Sequence, residues 1–165
     1  MIVRSQSKEA ISKNKMDTLN SITCAEIGKA CVCANLRKAS RLISQTYDEF
    51  LRPSGLKVTQ FALLMTMRGF GSTTVSKLAK WAIMDRTTVT RNLKLLDNKG
   101  LVKIEPGKDQ REKMVTITDK GIEALLAGHP FWEEAQNHVA EIIGEDRSNR
   151  IVKELSHMVS MLRKK

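Results

Sequence analysis

Residues 84–100, MDRTTVTRNLKLLDNKG, decide the fold. Wound as a helix, this stretch sets Val89, Leu93 and Leu96 on one stripe by the i, i+4, i+7 rule. At about 100° per residue, Thr87, Thr90, Arg91 and Lys94 fall on the opposite side. Asp85 is a good N-cap and Gly100 the expected stop just past the last turn. One face is thus a core stripe, and the other carries hydroxyls and cations with no carboxylate. A solvated helix face usually mixes both signs. This face is suited to phosphates and base edges in a major groove.

The segments on either side extend the pattern. Upstream, Thr73 or Thr74 is placed to cap a short helix with Val75, Leu78, Ala79 and Ala82 inward, and Ala82-Ile83-Met84 turns into the basic helix. Two helices, a tight turn and a basic outer face make a helix-turn-helix pattern. Past Gly100 the period changes from 3.6 to 2. Leu101, Val102 and Ile104 lead into residues 105–111, EPGKDQR, and Met114, Val115 and Ile117 lead out, as in a hairpin with an extended polar tip. A helix-turn-helix followed at once by a β-hairpin is a winged helix, and Lys108, Arg111 and Lys113 give the wing a cationic tip suited to a minor groove. Thr118-Asp119 caps the next helix.

Further out the chain is helical. Thr59 is positioned to cap a helix bearing Phe61, Leu63, Leu64 and Met67, broken at Gly69-Phe70-Gly71-Ser72. Before it, an apolar period from about Ala25 to Leu51 predicts one helix of about 27 residues, ended by Arg52-Pro53. After the wing, helical segments continue to Lys165, with an interruption expected at His129-Pro130 and a second at Gly144-Glu145-Asp146. The last segment carries Ile151, Val152, Leu155, Met158, Val159 and Leu162, a stripe that needs a partner surface. The expected fold class is mainly α with a small β-hairpin wing, the long N- and C-terminal helices forming a dimerisation region. The expected organisation is a flexible basic tail over 1–23, an N-terminal dimerisation helix over 24–52, a winged helix-turn-helix lobe over 53–118 and C-terminal dimerisation helices over 119–165. Met16 is a candidate alternative start.

Composition bounds the function. The 165 residues hold 28 Lys and Arg against 18 Asp and Glu, a formal net charge of +10, which favours an anionic partner, nucleic acid before membrane. Aromatics at 4% argue against a stacking platform for single strands. No apolar run approaches the ~20 residues of a membrane span, and no apolar segment follows the N-terminal charges as in a signal peptide. A cytoplasmic protein with reduced thiols is expected. The chain contains no Gly-rich phosphate loop, nucleophile elbow or metal motif, and His129, His138 and His157 show no ligand spacing. The expectation is a non-enzyme without cofactor or metal.

Asp85-Arg86-Thr87-Thr88-Val89-Thr90-Arg91-Asn92-Leu93, then Lys99-Gly100-Leu101-Val102, resembles the recognition helix and first wing strand of MarR-type transcriptional regulators. Asp109-Gln110-Arg111 at the wing, Thr118-Asp119-Lys120-Gly121 after it, residues 47–53 (YDEFLRP) and residues 56–61 (LKVTQF) extend the resemblance to about Cys31–Trp132. It implies a homodimer of winged-helix subunits paired through their terminal helices. It also implies binding to an operator in the promoter, usually as a repressor. In that family the aspartate and arginine matched by Asp109 and Arg111 set the wing's position and its minor-groove contact.

From the two-fold symmetry, a pseudo-palindromic double-stranded operator with half-sites about one turn apart is expected. Arg91 is the candidate for a guanine edge, and Thr87, Thr88 and Thr90 for a thymine methyl or a phosphate. Lys94, Ser76 and Lys77 are candidates for backbone positioning, Arg86 for a backbone contact or an internal ion pair. Two triggers stand open. The resemblance implies a small aromatic effector, with Phe61, Met65, Trp81 and Trp132 as candidate lining or simple core. Alternatively Cys24, Cys31 or Cys33 responds to redox state, or all three are small buried hydrophobes. On an ideal helix Cys31 and Cys33 point about 160° apart, and Cys24 and Cys31 lie about 10.5 Å apart along the axis, too far for a disulfide within one helix. A sequence-indifferent architectural or interaction module is the alternative of another class. Equal affinity for specific and random duplex would favour it.

Overall fold

Leu96, Leu101 and Gly121 meet where the basic helix hands over to the wing, and the fold is most tightly built there. The computed structural model describes residues 21–163 apart from Lys108 and Gln110. The tail over 1–20, with Met16, and the wing-tip Lys108 therefore lie outside the described residues. The chain divides into two units, residues 1–42 and 43–165.

In the first unit, α1 (Ser21–Ala30) is followed by the start of α2 (Val32–Leu51). Residues 21–23, expected in the tail, open α1, and the single long helix expected from about Ala25 is interrupted at Cys31. Helical i to i−4 bonds persist on both sides of it, Cys31 N–H to Ile27 O at 2.9 Å and Asn35 N–H to Cys31 O at 3.1 Å. The Asn35 side-chain amide also donates to the carbonyls of Lys29 at 2.8 Å and Cys31 at 2.9 Å, bridging the break. The Cys31 sulfur accepts the Ala34 N–H at 3.4 Å.

In the second unit, the rest of α2 ends in a 3-10 turn, Arg52–Ser54, and α3 spans Val58–Phe70. Thr59 does not cap α3. The helix begins one residue earlier, with the Val58 N–H donating to Asp48 Oδ1 at 2.7 Å and the Lys57 N–H to Gln60 Oε1 at 3.2 Å. A carboxylate from α2 thus fixes the entry of α3, a cap invisible to local sequence rules. The hydroxyl of the buried Tyr47 donates to Gln136 Oε1, and burial pushes that phenol above its ordinary pKa.

The order then runs β1 (Thr73–Thr74), α4 (Val75–Ala82), α5 (Arg86–Asn98), β2 (Val102–Pro106), β3 (Lys113–Ile117), α6 (Asp119–Ile143) and α7 (Glu145–Arg163). The expected hairpin is β2–β3, with Val102 opposite Ile117 and Ile104 opposite Val115. A third strand joins it, making an antiparallel sheet of order β1-β3-β2, with Thr73 opposite Val115. Thr74 both ends that strand and caps α4, accepting the Lys77 N–H at 3.2 Å. Leu51, Leu63, Leu64, Leu78, Val89, Leu93, Leu96 and Val115 fill the core.

His129-Pro130 does not interrupt the chain, and α6 continues through it. Proline already holds a helical φ, so the loss is one hydrogen bond to the residue 126 carbonyl. Leu126 is exposed, so water can take that carbonyl. Leu125, Gly128 and Ala135 are buried on either side of the proline and hold both halves in line.

Gly100, at φ 70°, ends α5, and the Leu101 N–H returns to Leu96 O at 2.9 Å. The Thr118 hydroxyl donates to Gly100 O at 2.7 Å and accepts the Gly121 N–H at 3.0 Å. A Cβ on Gly121 would lie 2.0 Å from Leu101 O. Backbone cannot yield as a side-chain tip can, so Gly121→Ala should destabilise the chain by about 3 kcal/mol or more. Urea denaturation of the two chains measures this, and a loss under about 1 kcal/mol would show that the junction is not fixed as described.

Candidate nucleic-acid interface

The face opposite Val89, Leu93 and Leu96 on α5 is open to solvent. Arg86, Thr87, Thr90, Arg91 and Lys94 are all exposed, whereas Thr88 is half-buried. Asp85 caps α5 by accepting the Thr88 N–H at 2.7 Å. The Thr90 hydroxyl donates back to Arg86 O at 2.7 Å, and the Asn92 amide donates to Thr88 O at 2.9 Å. The Thr90 hydroxyl hydrogen is therefore engaged within the helix. Among the described residues Arg86 has no ion-pair partner, and it is exposed like the other cations of this face.

On α4, Ser76 and Lys77 are exposed, and so is Lys80, which sequence reasoning passed over. Spacing alone would have found it, since it lies i+4 from Ser76 and i+3 from Lys77. At the wing, Asp109 Oδ1 accepts the Arg111 N–H at 2.9 Å, while its carbonyl accepts the Glu112 N–H at 2.9 Å. Gly107 N–H closes the loop on Glu112 O at 2.8 Å. Asp109 therefore builds the turn that presents Arg111, its carboxylate holding backbone. Arg111 and Lys113 are exposed, and Lys103, also on the wing, is paired to Glu105 at 2.8 Å.

The other candidates separate. Phe61, Met65 and Trp132 line one cleft of about 260 Å³ between α3 and α6, with Val58, Ala62 and His129. Phe61 is itself core, stacked on Trp132 at a centroid distance of 6.3 Å. Trp81 stands elsewhere, against Phe70 at 4.5 Å. Cys24 and Cys33 are exposed and Cys31 is half-buried, so none is a buried hydrophobe, and Arg37 Nη2 lies 4.0 Å from Cys33 Sγ. Among the described residues no group of three His, Cys, Asp or Glu is placed to hold a metal ion, and no helix is long and apolar enough to cross a membrane.

Three helices leading into a three-stranded wing, with the second helix of the helix-turn-helix presenting an exposed cationic face, define a winged helix-turn-helix protein. The model of the MarR family matches residues 54–112. The transcriptional regulator MosR of M. tuberculosis, solved in complex with DNA, is 37% identical with a TM-score of 0.68, and the match covers 81% of this chain and 98% of that one. The uncharacterised HTH-type regulator YwoH of Bacillus subtilis is 34% identical over 83 residues, half of this chain and 61% of that relative's length. The regulator SarZ of Staphylococcus haemolyticus is 26% identical over 132 residues, 78% of this chain and 87% of that protein. The chain belongs to the MarR family of winged-helix transcriptional regulators.

The hydrogen bonds from Thr88, its side chain and its N–H, hold the Asp85 carboxyl below its ordinary pKa of 3.8. A lowered folded-state pKa stabilises above the ordinary value, and that contribution is lost as pH falls through the lowered one. Asp85→Asn keeps a good cap but removes the titration. It should match the parent near neutrality and show a shallower loss of stability below about pH 4. Urea midpoints across that range measure this, and identical acid limbs would remove Asp85 from the pH response.

Proposed function

We propose that the chain is a homodimeric, sequence-specific reader of double-stranded DNA that represses transcription from a pseudo-palindromic operator. The observation that carries the reading is the outward face of α5: three cations and two hydroxyl side chains beside a core stripe that is wholly buried. We assign Arg91 to a base edge, Thr87 and Thr90 to a thymine methyl or a phosphate, and Lys94, Ser76 and Lys77 to phosphates. Arg111, whose N–H is held by Asp109, is assigned to the minor groove together with Lys113, and Lys108 is kept as a candidate by sequence alone. The net charge of +10 supports the same partner, and MosR, a relative, was solved with DNA.

Pairing rests on uncovered apolar surface. On α7, Ile151, Leu155, Val159 and Leu162 form an exposed stripe, and the N-terminal helices leave Ile27, Val32, Leu36 and Leu42 exposed. Such stripes are stable when another helix covers them. A two-fold pair then sets its recognition helices about 34–36 Å apart.

Release is assigned to a small, partly aromatic molecule in the α3–α6 cleft. Its lining is almost wholly apolar, with His129 as a polar handle, and its volume lies near the lower bound for ligand sites. The exposed Cys33 beside Arg37 favours a second trigger, thiol oxidation. Titrating operator DNA with peroxide and then with reductant separates the two. Reversible loss of binding supports the thiols, and indifference leaves the cleft.

Arg91→Ala should relax preference at one base pair per half-site, by about 1–3 kcal/mol if its contact is bidentate. Lys94→Ala should weaken all duplexes alike and flatten the salt dependence of log K by roughly 2, one lost phosphate contact from each subunit. Binding to a selected duplex and to random duplex, each over a salt series, tests both. The opposite pattern would exchange the two roles, and equal affinity for both duplexes would leave a sequence-indifferent module.

A further inference from the structure

The turn between α4 and α5 is held from a distance. A helix leaves its last carbonyls without intrahelical donors, and here these belong to residues 79–82. Ala79 O accepts the N–H groups of Ile83 and Met84, the latter at 3.0 Å. Lys80 O and Trp81 O accept from Arg163 Nη2, at 3.0 Å and 3.3 Å. Arg163 is the last residue of α7, so a cation from the far end of the chain closes the helix whose turn launches α5.

That turn is also the strained point of the backbone. Ile83 has φ 53°, the one positive value at a non-glycine among the described residues. A β-branched residue there is an outlier that persists only where its surroundings hold it. Ile83 is 59% exposed, so its own side chain supplies little of that hold. A guanidinium on the preceding carbonyls, favourably placed at the negative end of α4, supplies part of it.

We propose that Arg163 is a positioning residue: by bracing the α4–α5 turn from the end of α7, it fixes the angle at which the recognition helix leaves the dimerisation region. The inference rests on the homodimeric reading above. Only three residues, Ile83, Met84 and Asp85, lie between α4 and α5, so movement at the turn is passed directly to α5. In a two-fold reader the separation of the two recognition helices selects the half-site spacing. Arg163 would therefore govern which spacing is accepted while touching no base.

The test uses the full chain and a duplex selected by the unaltered protein from a pool randomised over about two helical turns. Affinity is measured for that duplex, for the same duplex with one base pair inserted between half-sites, and for random duplex. The unaltered chain should discriminate against both the insertion and random sequence. R163Q should bind the selected duplex about 5-fold more weakly, keep its preference over random sequence, and lose most of the insertion penalty. R163K, which keeps the positive charge at the negative end of α4 that R163Q removes, should retain the penalty. Hydrogen exchange at Ile83 and Met84 should quicken in R163Q. An insertion penalty unchanged in R163Q, or absent from the unaltered chain, would overturn the proposal with the regulator reading intact. Loss of dimer in R163Q would also overturn it, by moving Arg163 into the interface. An unaltered chain that does not prefer its selected duplex would sink the regulator reading itself.

Discussion

The carbonyl of Leu101 has no room for a side chain at residue 121, and much of the lobe depends on that exclusion. The backbone of α6 can approach the start of β2 only because Gly121 lacks a Cβ, which would lie 2.0 Å from that oxygen. Thr118 completes the junction from both sides, donating to Gly100 O while accepting the Gly121 N–H. Its own N–H reaches Leu101 O at 3.1 Å. Three elements are thereby fixed within a few residues: the end of α5, the root of the wing and the start of α6. Leu96, fully buried, packs the same corner from the core side. The end of α5 and the root of the wing are consequently tied to each other through one junction.

Where the physics is local, the sequence was sufficient. Asp85, Thr118 and, of the two candidates Thr73 and Thr74, Thr74 cap their helices because each accepts the backbone N–H three residues on. The α5 stripe and the β2–β3 alternation were legible because burial imposes period 3.6 on one and 2 on the other. Elements fixed by distant partners were not legible. The cap of α3 comes from Asp48, ten residues upstream. Strand β1 is two residues long and exists only through pairing with β3. Pro130 reads locally as a break and is overridden by packing on both sides of it. The interruption at Cys31 is bridged by the side chain of one asparagine four residues later, a residue type that an apolar period does not weigh.

The candidate site divides in the same way. Exposure of the cations on α5 follows from the stripe opposite them, so sequence alone picked them out. The work of Asp109 depended on where its carboxylate points, and the hydrogen bond to Arg111 N–H shows it to be a builder of the wing turn. Phe61, Met65 and Trp132 share a cleft while Trp81 does not, a distinction set by the crossing of α3 and α6 that no spacing rule supplies. Arg163 has no local signature at all, since its partners lie 82 and 83 residues away.

The donor inventory of α5 narrows what its outer face can recognise. Thr90 spends its hydroxyl hydrogen on Arg86 O, and Asn92 spends an amide hydrogen on Thr88 O. Thr88 is half-buried, its N–H held by Asp85. The hydrogen-bond donors directed outward are then chiefly the cationic groups of Arg86, Arg91 and Lys94, with the Thr87 hydroxyl between them. Fixed guanidinium donors match the paired acceptors of a guanine edge, whereas adenine also demands an acceptor from its reader. A threonine whose hydroxyl hydrogen is already engaged keeps only its methyl and an acceptor lone pair to offer. What this face offers a partner, paired donors from a guanidinium and a threonine whose hydroxyl hydrogen is already committed, is thus set by the helix's internal bonds.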